Sequence, residues 1–140
     1  MFVNITRVAF AAFFVALSAA PGATAPVPAE RAKAEKEQAV LAAKLQGEWR
    51  GGPCEGRLAF RADGTYEWRD VGPVANVSSG KWAIRGDARA PVLVWKCTQA
   101  DDEELVGKTV EVPLVRVDEA LLVFKCAELP EPRRFERLKN

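Results

Sequence analysis

Three cysteines (Cys54, Cys97 and Cys126) and the acidic run Asp101-Asp102-Glu103-Glu104 are the first residues in this 140-residue chain that could do chemistry. A Cys₃ zinc site would need a fourth ligand and favours close C-x-x-C spacing, and the chain has neither that spacing nor a histidine. The lack of histidine also removes Ser-His-Asp triads, histidine general bases and the usual activator of a catalytic thiol. The acidic run lacks the D-x-D-x-D-G spacing of a Ca²⁺ loop and reads as a solvated loop. Arg50, Arg133 and Arg134 could capture an anion, although surface charge explains them more simply. There is no Gly-rich phosphate loop and no pair of inward carboxylates. The sequence therefore predicts no catalytic residue, no metal site, no cofactor and no enzymatic activity. Lys+Arg is 20 against Asp+Glu 19, so no basic excess draws the chain to nucleic acid.

The elements that would position these residues begin after an N-terminal leader. Arg7 precedes Val8–Ala20, an apolar run without charge, and small residues follow Pro21-Gly22. That order predicts a signal peptide over residues 1–25, with cleavage after Ala25 or after Gly22. The run is too short to span a bilayer, for which roughly 20 apolar residues are needed, so no stable membrane span remains after its removal. Export to a secreted or periplasmic location follows, and with it an oxidising compartment where thiols pair.

Residues 26–44 form a linker and an N-terminal helix, rich in Ala, Glu, Lys and Gln. The helix has an apolar stripe only in its last turns, through Val40, Leu41 and Leu45, and Gly47 ends it. Residues 45–140 form one domain whose hydrophobic period is two. Eight segments alternate: Leu45–Arg50, Gly56–Arg61, Thr65–Asp70, Gly80–Arg85, Val92–Thr98, Thr109–Arg116, Ala120–Cys126 and Arg133–Lys139. Turn residues such as Ala62-Asp63-Gly64, Gly86-Asp87-Ala88 and Asp118-Glu119 separate them. Short strands with short connections predict an all-β fold: an eight-stranded antiparallel up-and-down meander closed into a small barrel, with one N-terminal helix.

Successive strand residues face opposite sides. With the aromatics placed inward, Gly47/Trp49, Leu58/Phe60, Tyr66/Trp68, Trp82/Ile84, Leu93/Trp95/Cys97, Leu122/Phe124/Cys126 and Phe135/Arg137 share one face. The other face collects Glu48, Arg57, Arg61, Glu67, Arg69, Lys81, Arg85, Lys96, Glu111, Lys125 and Glu136. A one-residue slip would reverse any strand, so this agreement supports the register.

With Gly47-Glu48-Trp49 on the first strand and Arg137 in Arg134-Phe135-Glu136-Arg137 on the last, the chain resembles the calycins, the lipocalin-like superfamily, and in particular small secreted bacterial lipocalin-like domains. The resemblance implies that Gly47, Trp49 and Arg137 form a structural signature in which the basic residue packs across the Trp. It also implies a barrel that carries a ligand. A guanidinium on an indole face contributes about 0.5–2 kcal/mol, depending on burial.

Four longer loops (Gly51–Glu55, Val71–Ser79, Gln99–Lys108 and Ala127–Pro132) gather at the barrel end away from the helix and make a candidate mouth. Trp68, Trp82, Trp95 and Phe124 are the candidate pocket residues, although short strands favour a filled interior. Asn76-Val77-Ser78 forms a glycosylation triplet in a loop. Cys97 and Cys126 sit on strands separated by a third, farther apart than a disulfide allows. Cys54, in a loop, can reach either. Cys97, which precedes the acidic loop, is the expected disulfide partner, leaving Cys126 free. The function expected is non-catalytic binding of a small apolar or amphipathic ligand. The alternative is a protein-interaction module, such as a secreted enzyme inhibitor, acting on a secreted partner through the mouth loops.

Overall fold

The computed structural model describes residues 28–52, 55–71, 75–127 and 129–139. The expected signal peptide and Cys54 lie outside them. Helix α1 spans Pro28–Leu45 and is followed by β1 (Gly47–Gly51), β2 (Gly56–Phe60), β3 (Thr65–Arg69) and β4 (Val77–Arg85). Then come β5 (Val92–Ala100), β6 (Thr109–Val117), β7 (Leu121–Phe124) and β8 (Arg133–Arg137). Each strand pairs antiparallel with the next, and β1 pairs with β8 to close an up-and-down barrel of eight strands. This architecture, with its single N-terminal helix, is the predicted one and is consistent with a lipocalin-like fold.

Local chemistry explains the three turns at the end nearest α1. In each, one aspartate accepts hydrogen bonds two or three residues ahead. Asp63 Oδ1 takes the Thr65 amide and hydroxyl at 2.9 and 2.6 Å. Asp87 Oδ1 takes the Arg89 and Ala90 amides at 2.8 and 3.0 Å. Asp118 Oδ1 takes the Ala120 and Leu121 amides at 2.9 and 2.8 Å. Such Asx geometry replaces backbone partners that a tight turn cannot supply.

The inward face forms the core. Trp49, Leu58, Phe60, Leu93, Leu122, Phe124 and Phe135 are almost fully buried, and Leu45 of α1 joins them. The outward face carries exposed ion pairs, including Arg61–Glu67 at 3.2 Å and Arg85–Glu111 at 3.1 Å. Exposed pairs of this kind add little stability each.

Strand β4 starts at Val77 rather than at the expected Gly80, and β5 runs on to Ala100. The β4–β5 register shifts between Ser79 and Gly80, which lets the pairing continue past Gly80. A Cβ at Gly80 would lie 1.9 Å from the Lys96 carbonyl oxygen, so the two strands approach closely there because the residue is glycine. As a result Val77 and Ser78 of the Asn76-Val77-Ser78 triplet lie in a strand and not in the expected loop.

Helix α1 docks by its last turns, through Leu41, Ala42 and Leu45. Its terminal carbonyls find partners in the barrel. Trp49 Nε1 donates to Leu45 O at 2.8 Å. Arg137 donates through Nη1 to Gln46 O at 2.6 Å and through Nη2 to Lys44 O. The same guanidinium lies over the Trp49 ring, with Cζ 4.1 Å from the centroid. Across the closing β1–β8 pair, Trp49 stands opposite Arg137. Gly47 has φ +128°, and a Cβ there would lie 2.4 Å from Arg137 Nη1. Glycine therefore leaves room for the guanidinium to reach the helix end.

Candidate functional site

At the end opposite the helix, a cavity of about 310 Å³ opens between the loops. Its walls are the inward aromatics Tyr66 and Trp68 of β3 and Trp95 of β5. Asp70, Asn76, Ser78 and Arg133 supply polar groups, and Leu105 reaches in from a one-turn 3₁₀ helix, Glu103–Leu105. Beneath it lie Phe124 and Phe135, stacked at 5.3 Å with 15° between their planes. Trp95 meets Phe124 edge-on at 5.6 Å, and Trp68 meets Phe135 edge-on at 5.7 Å. The expected filled interior therefore holds for the helix half of the barrel, while the mouth half is open.

Of the four candidate pocket residues, Trp68 and Trp95 line this cavity and the ring of Phe124 supports Trp95 from below. Trp82 packs elsewhere. Its ring sits edge-on to Phe60 at 5.3 Å, and its Nε1 donates to Arg61 O at 3.2 Å, beside the β2–β3 turn. Strand parity placed Trp82 on the correct face but carried no information about its height along the barrel.

The three arginines near the mouth separate sharply. Arg50 pairs with Glu55 at 2.8 Å on the outer surface. Arg134 is exposed on the outer face of β8. Arg133 lines the cavity, and its Nε is buried with no hydrogen-bond partner. Asn76 Oδ1 is likewise buried and unpartnered. The sequence grouped Arg133 with Arg50 and Arg134 as possible anion-binding cations without separating it from them, and gave Asn76 no role at the mouth. Arg133 shares inward parity with Phe135 and Arg137, so the signal was present. Asn76 precedes β4, a position where strand parity gives no direction to a side chain.

Asp70 Oδ1 accepts from Trp68 Nε1 at 2.7 Å, which fixes the indole against the wall. Tyr66, the chain's single tyrosine, has its hydroxyl pushed up to about 12. Burial is the main cause, the neighbouring Cys97 thiol adds to it, and a hydrogen bond with Ser78 opposes it. A phenol held there is neither a base nor a ready acid at neutral pH.

Cys97 is buried on β5, and its thiol donates to Gln99 O at 3.4 Å. Cys126 is half-buried beyond β7. Both are free thiols, and no disulfide joins the two. The Cys54 side of the expected Cys54–Cys97 link lies outside the described residues. The acidic run serves the loop itself. Asp101 Oδ2 accepts from the Val77 amide at 2.9 Å, and Asp102 Oδ1 caps the 3₁₀ helix through the Glu104 amide at 3.0 Å. Among the described residues no three Cys, Asp or Glu side chains converge as a metal site. No described helix is long and apolar enough to cross a membrane.

Compared with protein-family models, curated proteins and solved structures, the chain matches none.

Proposed function

We propose that this protein is an exported, non-catalytic, calycin-like barrel that binds a small amphipathic ligand in its mouth. The observation that carries the proposal is the cavity itself. It has about 310 Å³ of space walled by three aromatic side chains, with a few convergent polar groups at its rim. Small-molecule sites have this composition, and this volume is at the lower end of their usual range. Support for the calycin assignment comes from Gly47, Trp49 and Arg137, which form one unit at the closed end. Support for export comes from the charge, apolar run and small residues of the leader. Support for a non-catalytic role comes from the lining, which pairs no nucleophile with a base.

Two of the cavity walls are tryptophans, so intrinsic fluorescence reports directly on occupancy. Addition of 1-naphthylphenylamine, a planar apolar probe, is expected to quench the tryptophan emission saturably, and Trp95→Phe is expected to weaken the effect. A linear, non-saturating response would remove the binding reading.

A protein partner is the second reading, and one observation favours it. Val71, Val106 and Leu129, each on a different mouth loop, are exposed large apolar side chains. Retention of a defined partner from the exported fraction, lost when all three are changed to serine, would select this reading over the first.

A further inference from the structure

Among the described residues, Arg133 is the one cationic side chain lining the cavity. It is half-buried, and its buried Nε is left without a hydrogen-bond partner, a desolvation cost that a partner would offset. Arg133 forms no ion pair among the described residues, although acidic side chains are plentiful at this end of the barrel. Arg50, by contrast, is satisfied by Glu55. Among the described residues, the one carboxylate lining the cavity, Asp70, holds the Trp68 indole through Oδ1. Arg133 stands directly across from Phe124 in the β7–β8 pair, above the stacked Phe124 and Phe135 rings. The cavity thus combines flat aromatic surfaces with a half-buried guanidinium at one side, whose Nε has no hydrogen-bond partner.

From this arrangement we infer that the ligand is a small planar aromatic carboxylate, its ring held among Tyr66, Trp68 and Trp95 and its carboxylate on Arg133. This inference rests on the binding reading above and specifies its ligand class. The guanidinium fork matches a carboxylate in shape as well as charge, which a lysine ammonium does not. Asn76 Oδ1, buried and unpartnered in the same cavity, would receive a hydroxyl or N–H substituent on the ring. The cavity volume of about 310 Å³ accommodates a one- or two-ring compound.

Calorimetric titration with 2-naphthoate and 2-naphthylmethanol tests this, because the two share a ring system and differ in the charge. The folded protein is expected to bind the carboxylate at least about tenfold more tightly than the alcohol, with a preference that shrinks as salt is raised. Arg133→Gln is expected to abolish the preference while leaving alcohol binding within about twofold, and Arg133→Lys to restore only part of it. An unchanged thermal midpoint for both variants keeps the comparison on the site. Equal affinity for the two compounds, or a preference that survives Arg133→Gln, would overturn the carboxylate inference while leaving the cavity a binding site. No heat from either compound, combined with no saturable quenching by the neutral naphthylphenylamine, would overturn the binding reading and this inference together.

Discussion

Trp49→Ala should destabilise the barrel by about 3–5 kcal/mol, because it empties a fully buried site. It also frees Leu45 O and removes the surface under Arg137. Arg137→Ala should cost less, since it leaves the Lys44 and Gln46 carbonyls at the helix end to water. Urea unfolding of both single variants and the double variant should show a coupling above about 0.5 kcal/mol, and strict additivity would mean that the stack contributes nothing. Tyr66 offers a separate measurement, because phenolate absorbance in this chain has one source. Its midpoint should be near 12 in the folded protein and return to about 10 in denaturant. The folded state holds this proton more tightly. The stability tied to it is therefore fully present below pH 10 and lost as pH rises through 12. Asp63, Glu67 and Asp118 behave oppositely. Hydrogen bonds from Thr65, from Arg69 and Arg61, and from the Ala120 and Leu121 amides hold their carboxyls below the usual range. Their contribution is present at neutral pH and is lost on acidification below about pH 4, through the folded-state values.

Two elements carry the fold's special geometry. In the β4–β5 pair, Gly80→Ala would place a methyl group 1.9 Å from Lys96 O. The strands would have to part, with an expected loss of about 1–3 kcal/mol in a thermal or urea melt. The same change at Gly64, whose Cβ would meet nothing closer than 3.9 Å, should act through its positive φ alone and cost less. Helix α1 is anchored by Leu45 and by the carbonyls that Trp49 and Arg137 satisfy. Leu45→Ala should therefore cost about 2–5 kcal/mol, close to a core change within the barrel. Much of this was legible. The helix stripe at Leu41 and Leu45, the turn aspartates and most strand limits follow from period and turn chemistry. The start of β4 was not legible, because Val77-Ser78-Ser79 reads as loop by composition. Its strand character comes from pairing with β3 on one side and with a shifted β5 on the other.

At the scale of the molecule, the two barrel ends differ. One is plugged by the helix, Phe60 and Trp82, and the other holds the cavity. Intact-mass measurement on material from the producing cell should find a mature chain that begins between Ala23 and Pro28. A mass retaining Met1–Ala20 would remove the export proposal. Cys97 is a free thiol in this structure; if export oxidises it, non-reducing peptide mapping of the same material should recover Cys54 linked to Cys97, with Cys126 free. A Cys54–Cys126 peptide would mean that the other partner was taken, and unlinked peptides throughout would mean that the thiols stay reduced after export.

Period-two alternation and its turns determined the strand number, their order and the face each residue takes, because the extended backbone sends successive side chains to opposite sides. That was enough to place every described strand aromatic on one face and to set Trp49 beside Arg137 across the closing pair. Height along the barrel axis was decided only by tertiary structure. It depends on strand tilt and stagger, which closure imposes on all eight strands together and no single strand encodes. For that reason Trp82 and Trp95, opposite one another in the ladder, lean to different ends, one into the plug and one into the cavity wall. Of three arginines near one rim, closure brought Arg133 alone into the cavity, unpaired, above two stacked phenylalanines.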